Sequence, residues 1–263
     1  MELPIYQVDA FTGKLFGGNP AAVVVLDEPL PAKTMQSIAA ENNLAETAFV
    51  VKGEPEFGLR WFTPAVEMDL CGHATLASAH VLFRHGHARR SPVTFRYSGG
   101  TLSVAQEGDR LAMDFPSRPA EPDVPGSPLA AALTAALGAA PQQVLRARDL
   151  MAVFETQHQI ESLRPDFAAI ARLESVGVIV TAPGKEVDFV SRFFAPRVGV
   201  PEDPVTGSAH CTLVPYWSRR LGRKTLHALQ VSARGGELFL ADQGERVSIA
   251  GRAVEYLRGT ITV

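Results

Sequence analysis

The sequence predicts an α+β protein made of two similar lobes. Three observations carry that reading: the length, the alternation of short strands with two helices per half, and an internal repeat running through most of the chain. With 263 residues the chain is long for one domain and short for three. Apolar residues make up 46% and charged residues 20%, the balance of a chain that buries a core.

The first half opens with apolar runs at 5–10 and 21–26, each bounded by turn residues and read as strands. Between them, Gly17-Gly18-Asn19-Pro20 reads as a turn into a buried strand. It is not a phosphate loop, because it lacks the Gly-Lys-Ser/Thr ending and no helix follows. Leu30-Pro31 opens an amphipathic helix around Met35, Ile38 and Ala39. Strands follow at 47–51 and 58–62, and a second helix starts near His73. Gly99-Gly100 makes a hairpin into a strand at 102–105.

The Pro- and Gly-rich stretch 115–128 reads as the linker, which places the lobes at 1–116 and 117–263. The Ala-rich stretch 129–137 reads as a surface helix. Strands are expected at 152–155, 177–181, 191–194, 236–241 and 247–249. Helices are expected around Phe167, Ile170 and Ala171, after Arg164-Pro165, and again from Ser208.

Phe57, Arg60, Phe62, Pro64 and Val66 recur as Phe189, Arg192, Phe194, Pro196 and Val198, all at an offset of 132. Further on, Asp69, Gly72 and Ala74 meet Asp203, Gly207 and Ala209, and Gly99-Gly100 meets Gly235-Gly236. A period this long is a duplicated domain, not a solenoid repeat. A duplicated fold has a natural cleft between its lobes, and polar residues that break the symmetry are its candidate chemistry.

The offset carries Glu46 onto Val178, so one strand starts with a carboxylate where its twin starts with an apolar side chain. His73 meets Ser208. Each half brings a Gly-containing turn, at Gly72 and at Gly207, into a helix N-terminus, where free N–H groups and a partial positive charge favour anions. Two readings stand for each residue. Glu46 is either a solvated loop residue or an acid/base; Asp203 and Ser208 are either helix caps or site residues; His73 is either a satisfied helix-start histidine or a catalyst. Arg60 and Arg192, alternating with aromatics, read as structural ion-pair residues.

Composition excludes several classes. The formal charge is −3, with no basic stripe to suggest nucleic acid. The longest apolar runs, such as 21–26, are far below the roughly 20 residues that span a bilayer. Met-Glu-Leu-Pro at the start lacks the features of a signal peptide, so a cytoplasmic location is expected. The only cysteines, Cys71 and Cys211, make no disulfide framework, and no metal-ligand spacing appears, so no metal is expected.

Tyr6, Asp9 and Phe11, then Gly18-Asn19-Pro20, Asn43-Leu44-Ala45-Glu46-Thr47, Arg60 through Pro64, Cys71-Gly72-His73-Ala74-Thr75 and Asp203 through Ser208 together resemble the PhzF-like family of phenazine biosynthesis. The resemblance covers essentially the whole chain in order. It implies a diaminopimelate epimerase-like fold, two lobes each with a curved sheet around a central helix, a homodimer, and no cofactor. It implies an isomerase similar to trans-2,3-dihydro-3-hydroxyanthranilate isomerase, moving a proton between carbons of a small carboxylate substrate. By motif Glu46 is the general acid/base, His73, Asp203 and Ser208 are the other catalytic residues, and the N–H groups near Gly72, His73, Gly207 and Ser208 hold the substrate carboxylate. The apolar surroundings are expected from Phe49, Trp61 and Phe62. Related epimerases use a thiol from each half; Cys71 stands at the first site but the second falls near Val205 or Thr206, which disfavours a two-thiol racemase. An epimerase of an amino or hydroxy acid, and a non-catalytic binding protein for a cyclic acid, remain the alternative readings.

Overall fold

The structure is a computed structural model describing residues 1–124 and 126–263. It divides into two compact units, Met1–Asp114 with Ala250–Val263, and Phe115–Ile249.

In the first unit, β1 (Glu2–Ala10) lies between β2 (Asn19–Leu26) and β18 (Ala253–Thr262), antiparallel to both. Strand β2 runs parallel to β3 (Glu46–Val51), and α1 (Ala32–Asn42) makes the crossover that a parallel pair requires. Met35, Ile38 and Ala39 form the buried stripe of α1 and pack on Leu3, Ile5, Val24, Phe49 and Phe62. Strand β4 (Phe57–Phe62) is antiparallel to β3 and to the short β5 (Glu67–Met68), and parallel to β6 (Val93–Tyr97). The crossover here is α2 (Gly72–Arg84). Its residues from His73 to Ala79 are buried without interruption, the mark of a helix enclosed on all sides. It packs on β1, β2, β3 and β18. The meander continues through β7 (Gly100–Glu107) and β8 (Arg110–Pro116).

The second unit repeats the plan. After β9 (Glu121–Pro122) and α3 (Pro128–Leu137) come β10 (Gln143–Arg146), β11 (Leu150–Val153), α4 (Gln157–Ser162) and α5 (Phe167–Ala171). Strand β12 (Val178–Pro183) is parallel to β11 and antiparallel to β13 (Phe189–Ala195). Strand β13 pairs antiparallel with β14 (Val200–Asp203) and parallel with β15 (Thr225–Gln230), as β4 does with β5 and β6. The intervening helix is α6 (Gly207–Leu221), followed by β16 (Gly236–Asp242) and β17 (Arg246–Gly251). The duplicated arginines hold equivalent places. Arg60 forks onto Glu67 and lies over Phe62; Arg192 forks onto Glu202 and lies over Phe194.

Residues 129–137 lie in the expected surface helix: Leu129, Leu133 and Leu137 recur every fourth position and face the core with Phe154, Ile160 and Phe194, while Ala130, Ala131, Ala132 and Ala135 are exposed. Two features differ from expectation. The stretch 115–128 is not all linker, since β8 ends in it and β9 pairs with β10; its residue 125 lies outside the described residues. Ala250–Val263 groups with the first unit, because β18 pairs along the whole of β1, whereas the sequence reading placed 117–263 in one lobe.

His210 of α6 is fully buried, donating Nδ1–H to the Thr206 carbonyl at 2.8 Å, while burial pushes its pKa down to about 4. An unfolded imidazole titrates near 6.5. Between these values only the unfolded chain takes the proton, so the folded state weakens as pH falls from 6.5 towards 4. The slope is about 1.4 kcal/mol per pH unit, about 3 kcal/mol in all. Urea unfolding of the protein and of His210→Gln across this range should show the stability difference between them shrinking on acidification. A constant difference would mean that His210 is protonated when folded.

Candidate active site

Strand β3 begins at Glu46, opposite Ala21 of β2. Its side chain keeps 14% of its surface, whereas Val178, the first residue of β12, is 1% exposed and part of the second unit's core. His73, the second residue of α2, is buried and brings Nε2 to 3.0 Å from Glu46 Oε2. On the other side of the ring, Asn19 Nδ2 lies 3.2 Å from His73 Nδ1 and Cys71 Sγ lies 3.5 Å from it. The sequence places Asn19 in a turn and Cys71 before a helix; the geometry gives both a face on the imidazole.

Cys71 is the residue before α2 and its side chain does not cap the helix. Burial pushes its thiol pKa up, and the Glu46 carboxylate adds to that, so Cys71 is a thiol at neutral pH. For His73 burial, the largest influence, opposes the charged form, while Cys71 and Glu46 favour it. The Cys71 contribution requires a thiolate, which its own raised pKa denies it. The upward pull on His73 at neutral pH is therefore that of Glu46. Glu46, Cys71 and His73 each offer a ligand atom, all within 4.8 Å of one another, so this is where a metal ion would find donors among the described residues. No spacing in the sequence could show that trio, because Glu46 comes from a different element.

The second unit presents the matching turn. Asp203 ends β14, and Thr206 is the residue before α6. The Thr206 hydroxyl does not cap the helix but donates to Asp203 Oδ2 at 2.5 Å. Gln230, buried on β15, accepts the Thr206 N–H at 2.9 Å and donates to the Asp203 carbonyl at 2.8 Å, fixing the turn. Nothing near Gln230 in the sequence signals this, since its partners lie 24 to 27 residues away. Ser208 is the second residue of α6, as His73 is of α2, and is half-buried.

The expected aromatic surroundings are met only in part. Side chains alternate along a strand, so Phe49 lies on the face of β3 opposite Glu46, and Phe62, paired with Thr47, shares that far face. The two rings pack edge to face at 5.6 Å in the α1 cluster. Trp61, paired with Ala48, lies on the Glu46 face.

The family model described as phenazine biosynthesis-like protein (PhzC-PhzF) matches residues 8–259. An uncharacterized isomerase of Pseudomonas aeruginosa is 52% identical over 262 residues, with 99% of each chain covered. A crystal structure of a PhzF family protein from Enterococcus faecalis superposes with a TM-score of 0.95 at 45% identity, covering 100% of both chains. A predicted epimerase from Pseudomonas aeruginosa, 19% identical and covered to 99%, has a TM-score of 0.77, a likeness of fold.

Proposed function

Because the chain belongs to the phenazine biosynthesis-like (PhzC-PhzF) family, we propose that it is a cofactor-independent isomerase that moves a proton between two carbons of a small carboxylate metabolite, with Glu46 as general acid/base. The observation that carries this is the half-buried Glu46 carboxylate, held against His73 at the start of α2, at a strand start whose counterpart in the repeat is the core residue Val178. A carboxylate placed so can accept a proton from carbon and return it to a neighbouring carbon as the double bond shifts. One C–H bond breaks, one forms, and no electrons are gained or lost, so the reaction asks for no redox partner.

Gly72 and His73 at the start of α2, and Gly207 and Ser208 at the start of α6, are the proposed carboxylate-binding positions, since neither helix start is satisfied by the side chain of its preceding residue. Asp203 and Ser208 are the proposed further catalytic residues. The substrate class is similar to trans-2,3-dihydro-3-hydroxyanthranilate, a cyclic acid with an acidic C–H. The test is exchange of substrate C–H for deuterium from the solvent, followed by NMR over a panel of such acids. Ser208→Ala should raise KM about tenfold, the worth of one hydrogen bond to a charged group. Absence of exchange with every acid that binds would overturn the isomerase reading.

A further inference from the structure

We propose that Asn19 is a positioning residue for this site: its side-chain amide holds His73 Nδ1 as an acceptor and so places the imidazole proton on Nε2, facing Glu46. The catalytic meaning rests on the function proposed above; the proton placement rests on geometry alone.

Asn19 is the first residue of β2 and is 0% exposed. It is delivered by Gly18, whose φ of +62° and approach to β1 admit no side chain: a Cβ there would lie 2.1 Å from the Ala10 carbonyl oxygen. Pairing of Asn19 with Ala10 fixes the strand, and β2 lies over α2, so the amide reaches an imidazole 54 residues further along. The Gly-Gly-Asn-Pro turn is thus a device for presenting one amide to one histidine.

The amide nitrogen of an asparagine only donates. Facing it, Nδ1 must use its lone pair, and a neutral imidazole then carries its proton on Nε2. The un-ionised Cys71 thiol, also beside Nδ1, can only support the same arrangement as a weak donor. Nε2 therefore carries the proton on the side of Glu46, whose Oε2 lies 3.0 Å away, although the two atoms do not align as a hydrogen bond. The opposite tautomer would turn a lone pair towards the carboxylate, setting two acceptors 3.0 Å apart. In the proposed reaction the Glu46 carboxylate takes the proton from substrate carbon and gives it back to another carbon, while His73 keeps its own. Glu46 and Cys71 are the ionisable groups facing the ring among the described residues; Glu46 favours a second proton on His73, and the Asn19 amide, a donor, opposes it.

The placement is read directly from ring ¹⁵N spectra of the labelled protein. The chain has seven histidines, and His73 is assigned by the signals missing from His73→Gln. At neutral pH the wild-type ring should show a protonated Nε2 and a bare Nδ1. Asn19→Asp puts an acceptor at Nδ1 and should protonate both nitrogens. Asn19→Leu should leave the two tautomers mixed and slow substrate C–H exchange at least about tenfold at unchanged KM. A wild-type ring protonated at Nδ1 overturns the proposal, and so does an Asn19→Leu ring identical to wild type. The wild-type spectrum decides the matter even where a variant fails to fold. If the tautomer is as stated but Glu46→Gln still turns over, the catalytic role fails and the placement stands.

Discussion

Glu46→Gln is expected to lower the rate of substrate C–H exchange by about 10²- to 10⁴-fold, the usual contribution of a positioned acid/base, while leaving the substrate bound. The substitution replaces one carboxylate oxygen by an NH₂ and adds no bulk. Its remaining carbonyl oxygen can stay beside His73 Nε2, which lies 3.0 Å from Oε2. What is lost is the capacity to take up and hold a proton. The defect should therefore fall on kcat with little change in KM, the pattern of a group that acts only in the transition state. Deuterium incorporation from solvent, measured by NMR against a calorimetric binding constant, separates the two. Turnover within tenfold of wild type would remove Glu46 from the chemistry.

The same position shows how much the sequence discloses. The offset of 132 between the halves is legible in a few aromatic, arginine and proline residues, and the units do repeat their strand pairings, with β4 and β13 each flanked by an antiparallel and a parallel neighbour. From that frame Glu46 stands out, because its twin Val178 is core. Elements whose identity depends on distant partners were not legible. Thr225–Gln230 carries Leu, Ala and Gln, which favour helix, and becomes a strand by pairing with Phe189–Ala195 and Gly236–Asp242. Ala253–Thr262 is mostly exposed and carries no buried stripe; its structure comes from β1, at the other end of the chain. The side chains around the site fall in the same class. Asn19 looks like a turn residue and Gln230 like a surface residue until the fold supplies His73 to one and Thr206 to the other.

Trp217→Ala should cost about 3–5 kcal/mol, among the largest losses available to a single core truncation. Trp217 is fully buried on α6 and stacks on Phe189 of β13, with 5.5 Å between ring centroids and 3° between planes. Its Nε1–H donates to Thr181 Oγ1 at 3.0 Å, and Thr181 donates in turn to the Val190 carbonyl at 2.8 Å. The indole thus ties α6 to β12 and β13 by packing and by a hydrogen bond. Truncation empties a space bounded by a strand backbone that cannot collapse into it. Packing outweighs the hydrogen bond: Thr181 keeps its own acceptor, so the lost N–H is worth only about 1 kcal/mol. Trp217→Phe removes that bond while keeping most of the volume, and should recover more than half of the stability lost in Trp217→Ala. For a chain of this size the alanine variant should melt roughly 6–20 °C lower, followed by far-ultraviolet circular dichroism. If the phenylalanine variant melts as low as the alanine one, the hydrogen bond and not the ring volume holds α6 on its sheet.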